Sequence, residues 1–131
     1  MTARTGFTAE QVNAMRARDD NRCAWTGLES DRLIPQHRAN RGAGGSRLAN
    51  RLSNGVLLDS LINGAIEADA DMQAEAVRRG VKVSRYADPT RVPVEHAVHG
   101  WVLLGDAGEV SALTVSEAHE IMHDLGIGVA A

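Results

Sequence analysis

The sequence predicts an α+β fold: an N-terminal helix, a central strand–strand–helix unit, a C-terminal β-hairpin and a short final helix. Three patterns support this prediction. The residues Thr8-Ala9-Glu10-Gln11 form a capping box, which is typical of a helix start. Apolar residues recur at helical spacing over residues 60–80. Two apolar runs flank a Gly-Asp-Ala-Gly turn at residues 105–108, as expected of a hairpin.

The first helix is expected to extend to about Arg18, where an Asp-Asp-Asn run should end it. Phe7 and Val12 are spaced as a hydrophobic staple, which fixes the angle at which a chain enters a helix. Val12 and Met15 would then face the core.

The central part of the chain predicts two short strands separated by a long loop. The first is Leu33-Ile34-Pro35, which leads to Gln36-His37, and the second includes Val56-Leu57-Leu58. Residues 38–50 are rich in Gly, Asn and Arg, which predicts a loop between the strands.

The second half of the chain predicts a helix, a strand, a hairpin and a last helix. One helix is expected from Ser60 to a stop at Gly80, followed by an alternating strand pattern at residues 81–83. The hairpin would cover residues 101–115. The final helix would be capped by Ser116, with Ile121 and Leu125 facing the core.

Size and composition indicate one domain that covers residues 1–131. A hydrophobic content of 44% is enough for one modest core, but four aromatic residues are too few for a row of base-stacking platforms. Cys23 is the only cysteine and is expected to be buried, so a disulfide within the chain is excluded. Since we see no signal peptide and no apolar run of membrane-spanning length, we expect a cytoplasmic protein without a membrane partner.

The charge is divided unevenly along the chain. Residues 1–51 carry nine Arg and five acidic residues, whereas the whole chain has a net charge of −3. Residues 32–51 hold five Arg and no acid, which predicts a local patch for a phosphate backbone. The simpler interpretation is a solvated basic loop. The candidates for phosphate contact are Arg38, Arg41, Arg47 and Arg51.

Several short motifs occur in a fixed order over roughly residues 18–110. They are His37-Arg38, Arg41-Gly42-Ala43-Gly44-Gly45, Ser53-Asn54, Gly64 with Ile66-Glu67, Pro93-Val94 and Gly100-Trp101-Val102-Leu103-Leu104. Each motif is weak alone, but the set resembles the HNH endonuclease family, in the subfamily common in actinobacteria and their phages. The resemblance implies a ββα-metal core, in which two antiparallel strands and one helix surround a divalent ion.

The resemblance also implies residue roles for phosphodiester hydrolysis. His37 would be the general base, Asn54 the residue that holds its loop and orients the ring, and Asn63 the residue at the metal position. The cofactor would be one divalent ion, Mg²⁺, Mn²⁺, Ni²⁺ or Zn²⁺, which stabilises charge on the scissile phosphate. The function implied is a DNA-binding endonuclease or nickase.

The metal ligands depart from the family pattern. Gln36 precedes the base where relatives often have His or Asp, and Asn63 replaces a metal-binding His, so both ligands are neutral. Asp59 and Glu67 could compensate; Asp59 stands where relatives often have Cys. A weak nuclease and a scaffold without turnover are therefore both open.

The main alternative is a catalytically inactive, phage-encoded protein that uses this scaffold to bind DNA or a host protein. A homodimer would suit cleavage of both DNA strands, although no pattern indicates an interface. A remote alternative is a zinc metalloprotease, because His119-Glu120-Ile121-Met122-His123 matches HExxH on a predicted helix. His96 or His99 could supply its third ligand.

Overall fold

The computed structural model describes residues 6–40 and 47–127, and for residues 47 and 48 it describes the backbone alone. This part of the chain is mixed α+β, with four α-helices and two small antiparallel sheets, so the predicted class is confirmed. The elements in chain order are α1 (Ala9–Arg18), β1 (Leu33–His37), β2 (Gly55–Asp59), α2 (Ser60–Ala68), α3 (Ala70–Arg78), β3 (Val94–His96), β4 (Gly100–Leu104), β5 (Val110–Ala112) and α4 (Val115–Asp124).

Helix α1 begins and ends where the sequence predicts. Thr8 and Gln11 form both hydrogen bonds of the capping box, and the helix ends at Arg18. Phe7, Met15 and Leu57 form a small buried cluster, against which Val12 packs. The predicted staple therefore fastens α1 to the middle of β2.

Strands β1 and β2 form an antiparallel pair that α2 follows directly. Leu33 pairs with Asp59 at one end of the pair, and His37 pairs with Gly55 at the other. All five residues of β2 are buried, which agrees with its nearly continuous apolar sequence. This pair places the end of β1, the start of β2 and the ends of the predicted loop side by side.

The single helix predicted over residues 60–80 is wrong, because the helical pattern is interrupted at Asp69. The Asp69 backbone is extended (φ −124°, ψ 122°), and its carboxylate accepts hydrogen bonds from the amides of Asp71 and Met72. An N-terminal cap of this kind stabilises the start of a new helix, so residues 60–78 form α2 and α3 instead. Gly80 follows α3 with a positive φ of 71°.

The second sheet has the order β3-β4-β5 and includes the predicted hairpin of β4 and β5. Strand β3 was not predicted as an element. The strand expected at residues 81–83 is absent from the described structure, because Val83 forms only an isolated parallel bridge with Ala39. That bridge joins the region after α3 to the end of β1.

Helix α4 differs in detail from its prediction. Thr114, rather than Ser116, caps it and forms a capping box with Glu117. Its buried side chains are Ala118 and Met122, whereas Leu125 is exposed. The core-facing stripe thus lies one residue away from the predicted one.

The main core joins both sheets with α2 and α3. Cys23 is buried in it, as predicted. Its other buried members are Ala24, Leu33, Val56, Leu58, Ile66, Ala76, Val81, Val94, Val102 and Leu104. Each helix in the described part of the chain is too short or too polar to cross a lipid bilayer.

Candidate functional site

The candidate site lies at the end of the first sheet where His37 pairs with Gly55. Beyond this pair, the amide of Arg38 donates to the carbonyl of Asn54 at 2.8 Å, which extends the contact by one residue. The sheet thus brings His37 and Asn54 close together, as the predicted site requires.

Asn54 is buried and holds the two ends of the loop together. Its Oδ1 accepts from the Ala39 amide at 2.8 Å, and its Nδ2 donates to the carbonyls of Ala39 (3.0 Å) and Ala49 (2.8 Å). Residues 41–46 of this loop, which include the predicted phosphate contact Arg41, lie outside the described residues. The contacts of Asn54 are those of a residue that holds a loop.

His37 is half-buried, and its ring has a fixed orientation. The imidazole stacks on Phe7 with ring centroids 4.4 Å apart, and its Nε2 lies 2.8 Å from Asn50 Oδ1. Because an amide oxygen can only accept, Nε2 carries the proton and the lone pair of the neutral ring lies on Nδ1. Asn50 therefore sets the tautomer that a general base needs.

Sequence reasoning missed both Asn50 and Phe7 as neighbours of His37. Asn50 is itself positioned by Gln11, whose Nε2 donates to the Asn50 carbonyl at 2.6 Å. No spacing rule predicts this contact, because it depends on where α1 packs against the loop. The capping box and staple were the only signals that fixed α1 in this region.

Asn63 and Gln36 are the two predicted ligands with neutral oxygen atoms, and no hydrogen bond or ion pair among the described residues brings their side chains together with each other, with Glu67 or with His37. Asn63 lies in the first turn of α2, and its buried Oδ1 has no hydrogen-bond partner among the described residues. An unsatisfied buried acceptor costs about 1–3 kcal/mol, so this oxygen would gain from a donor or a cation. Gln36 is half-buried in β1 opposite Val56.

Glu67 and Lys82 line a cleft of about 340 Å³ together with Asn40 and Ile66. Lys82 Nζ donates to the carbonyl of His37 at 3.2 Å. Burial lowers the pKa of Lys82, and the charge of Glu67 opposes that shift. The positively charged Lys82 therefore lies at the end of β1. It shares this cleft with Glu67, which was predicted as an acidic metal ligand.

Asp59 does not belong to this site, which corrects the prediction that it could serve as a metal ligand there. It lies four register positions from Gly55, or about 13 Å along a strand that rises about 3.3 Å per residue. Its carboxylate caps α2 and pairs with Arg32 at 2.9 Å. Hydrogen bonds from Arg32 and from the Leu61 amide hold the pKa of Asp59 below its ordinary value.

Arg38 cannot contact DNA, because its side chain is fully buried. Its guanidinium donates to four backbone carbonyls, those of Ser53, Gly80, Pro89 and Val92, at 2.7 to 2.9 Å. Burial, and then the nearby charge of Arg18, lowers the pKa of Arg38 to about 9, so the group stays charged at neutral pH. Arg38 is a structural residue that joins four segments of the chain.

The remaining predicted phosphate contacts differ in what they touch. Arg51 lines a second cleft of about 340 Å³ and is paired with Asp106 at 2.7 Å and with Asp88 at 3.4 Å. Arg47 lies in a short 3-10 helix, and its side chain is outside the described atoms. Part of the basic charge predicted for residues 32–51 is therefore neutralised within the fold.

No family model, curated protein or solved structure matches this chain. The comparisons neither support nor contradict the resemblance found in the motifs.

A separate cluster of Asp19, His96 and His99 has the composition of a metal site. Within the described residues it is the one such group of three, with ligand atoms that all lie within 4.8 Å of one another. His99 Nε2 lies 3.0 Å and His96 Nε2 3.4 Å from the Asp19 carboxylate. Asp19 and His96 are buried, whereas His99 is partly exposed.

Two features show that this cluster does not suit a metal ion. Arg18 donates to both oxygens of Asp19, at 2.8 and 2.7 Å, and already balances the only negative charge. His96 Nδ1 accepts the amide of Val98 at 3.1 Å, so its proton lies on Nε2, the nitrogen that faces Asp19. A protonated nitrogen cannot coordinate a cation, and a dication would leave excess buried charge.

The HExxH match is not assembled into a metal centre. His119 and His123 are exposed on α4, and His119 packs edge-on against Trp101. Among the described residues neither belongs to a group of three potential ligands, because His96 and His99 lie with Asp19 instead. This placement gives the metalloprotease prediction no third ligand.

Proposed function

We propose that the chain is an HNH-like nuclease domain that binds DNA and hydrolyses phosphodiester bonds with the help of one divalent ion. The observation that carries the proposal is the His37 imidazole. Asn50 holds it in one tautomer at the end of an antiparallel strand pair, beside a loop tied by Asn54, and a helix follows the second strand directly.

Each of these residues has a distinct role in the proposed reaction. The neutral His37 ring takes a proton from the attacking water, and Asn50 keeps the ring oriented. Asn54 ties Ala39 to Ala49, on either side of two of the residues predicted to contact phosphate. Gln36, Asn63 and Glu67 would hold the ion, which supplies charge stabilisation at the scissile phosphate when bound.

The donor set fits a divalent ion weakly. The unpartnered oxygen of Asn63 favours binding of a cation. Glu67 is the only acidic member of the set, because Asp59 is committed to Arg32 and to the cap of α2. A hard cation held mainly by neutral oxygens binds with low affinity, so we expect slow cleavage that needs millimolar metal.

A second candidate function is a scaffold that binds DNA or a host protein without turnover. The observation that favours it is Lys82, whose ammonium group lies 3.2 Å from the His37 carbonyl. This fixed positive charge, in the same cleft as Glu67, would repel a divalent ion. In that case the protein would still bind DNA or a host protein, and this binding would not require a metal ion.

The experiment that tests the proposal is relaxation of supercoiled plasmid in Mg²⁺, Mn²⁺, Ni²⁺ or Zn²⁺. We expect nicking by the wild-type protein and a loss of about 100-fold or more in His37→Ala, as for removal of a general base. Asn50→Ala should reduce the rate less, since it only releases the ring. His123→Ala is the matched control, because it removes an exposed His outside the site.

The possible outcomes separate the two candidate functions. Equal nicking by wild type and His37→Ala would reject the role of His37. No nicking in any metal, together with DNA binding that is unchanged by His37→Ala, would favour the scaffold without turnover. A metal-dependent rise in melting temperature that is lost in Asn63→Leu would support the metal position independently of activity.

A further inference from the structure

Residues 82–86, which we call the 82–86 segment, lie along the end of β1, where the loop begins. The amide of Val83 donates to the carbonyl of Arg38 at 3.0 Å, and Val83 forms a parallel bridge with Ala39. Lys82 reaches the carbonyl of His37. The segment is therefore next to the candidate site, although it is far from that site in the sequence.

The segment carries positive charge that the rest of the fold does not neutralise. Residues 76–87 hold four cationic residues and no acid. Arg78 and Arg79 pair with Glu75. Lys82 and Arg85, by contrast, have no carboxylate within ion-pair distance in the part of the chain that the structure describes, and Glu67 acts on Lys82 only at longer range. Two cations thus remain for an anionic partner.

Tyr86 is the most exposed large hydrophobic residue in the described structure, at 83%. The Arg85 guanidinium lies 4.9 Å from the centre of its ring and donates to its hydroxyl at 2.7 Å. This contact with Arg85 holds the Tyr86 ring in place on the surface, where most of its apolar area is exposed to solvent. A ring presented in this way beside a cation is suited to stack on a planar ligand.

Tyr86 also lies between two clefts near the loop. One, of about 340 Å³, is lined by Asn40, Asn54 and Arg85 as well as Tyr86, and the one acid among its described lining residues, Asp88, is paired with Arg51. The other, of about 580 Å³, extends from Tyr86 past Lys82 to the end of α4. Planar and phosphate groups could therefore be accommodated on the same face.

We propose that the 82–86 segment forms part of the DNA interface, with Tyr86 stacked on an unpaired nucleobase and Lys82 and Arg85 in contact with the phosphates beside it. The inference rests on the proposed function and specifies its substrate class as DNA with an unpaired base. A base inside a duplex presents no free face, so an aromatic side chain of this kind selects bases that are already unstacked.

The test measures fluorescence anisotropy with a labelled duplex that contains one unpaired thymine and with the same duplex fully paired. Wild type should bind the unpaired form more tightly, and Tyr86→Ala should lose about 5- to 150-fold in affinity for it, as for loss of one stacked base. Tyr86→Phe keeps the ring and should keep the preference. Leu28→Ala is the control, since Leu28 is exposed but lines none of these clefts.

Lys82→Gln and Arg85→Gln together should weaken binding to both duplexes and flatten its dependence on salt, because they remove phosphate contacts. Equal wild-type affinity for the two duplexes, or an unchanged affinity of Tyr86→Ala for the unpaired form, would overturn the inference. Plasmid nicking that depends on His37 but not on Tyr86 would leave the proposed function standing while rejecting this role of Tyr86. Absence of any DNA binding by wild type would reject both.

Discussion

Individual residues in this protein show that burial can give a side chain a different role from the one its sequence pattern predicts. Arg38 follows His37 in a basic stretch and was predicted to contact phosphate, yet its guanidinium satisfies four carbonyls inside the fold. Asn50 carried no signal in the sequence, yet it fixes the His37 ring. Both outcomes depend on which segments pack against the end of β1.

Replacement of Arg38 by Met should destabilise the protein by about 3–5 kcal/mol. The change keeps much of the apolar stem but leaves the buried carbonyls of Ser53, Gly80 and Val92 without the guanidinium donor, and each unsatisfied group is costly. The Pro89 carbonyl also loses the guanidinium but keeps a bond from the Val92 amide at 3.4 Å. Urea unfolding followed by circular dichroism measures the effect.

Arg85→Met is the matched control for this substitution, since Arg85 is exposed and, among the described residues, its guanidinium donates to Tyr86 and to no backbone carbonyl. We expect it to change stability by less than about 0.5 kcal/mol. A similar small effect of Arg38→Met would show that the guanidinium does not stabilise the fold.

At the level of elements, the Asp19, His96 and His99 cluster joins the end of α1 to the turn between β3 and β4. Burial alone would raise the pKa of Asp19, but the hydrogen bonds and charge of Arg18, together with the His96 imidazole 3.4 Å away, outweigh it and hold that pKa far below its ordinary value. Burial lowers the pKa of His96 below 6.5, while Asp19 opposes the shift. Arg18 also donates to the carbonyls of Leu52 and Gly55, so the cluster supports the start of β2.

The cluster predicts that acid destabilises the protein in two steps. His96 has a lower pKa when folded than when unfolded, so the unfolded chain binds the extra proton first and stability falls as pH drops below about 6.5. Protonation of Nδ1 would also place two donors, His96 and the Val98 amide, against each other. The second loss of stability comes from Asp19, whose pKa is lower in the folded protein than in the unfolded chain. It begins as pH falls below about 4, where the unfolded chain takes up the proton first.

Urea midpoints between pH 8 and pH 5 measure the first step, with a slope of up to about 1.4 kcal/mol per pH unit for one proton. His96→Gln should flatten this slope, whatever its effect on stability at pH 8. His123→Gln is the control, because His123 is exposed. An unchanged slope in His96→Gln would contradict the assignment.

At the scale of the whole molecule, two buried clusters are linked through β4. Val102 and Leu104 belong to the main core, whereas Trp101 of the same strand packs with Val92 and α4 in a second cluster. Trp25 packs against the main core. Strand β4 contributes residues to both clusters, and Arg38 binds carbonyls of the segments at Ser53, Gly80 and Pro89–Val92. We therefore expect the two clusters to unfold together.

Single-tryptophan variants test this expectation of one domain. Trp25→Phe leaves Trp101 as the reporter of the second cluster, and Trp101→Phe leaves Trp25 as the reporter of the main core. In each variant the fluorescence and circular dichroism transitions in urea should coincide. Separate midpoints in the same variant would show that α4 and its cluster unfold independently.

Most elements of this fold could be predicted from local patterns in the sequence. The capping box at Thr8, apolar periodicity and turn residues identified α1, β1, β2, the β4–β5 hairpin and α4, since these signals act within a few residues. The cap of α4 was predicted at Ser116, whereas Thr114 forms it. The break at Asp69 was missed because a capping Asp can also occupy a polar position on a continuous helix. Strand β3 was missed because three residues are too few to show a period.

The sequence by itself determined the α+β class, the order of its main elements and the proximity of His37 to Asn54, because strand pairing follows from two short apolar runs and one loop. Only the tertiary structure decided that Arg38 is buried, that Asp59 lies at the far end of the sheet and that Asn50 orients His37. It also brought the 82–86 segment to the site. These outcomes depend on contacts between segments up to about 50 residues apart, which local patterns do not encode.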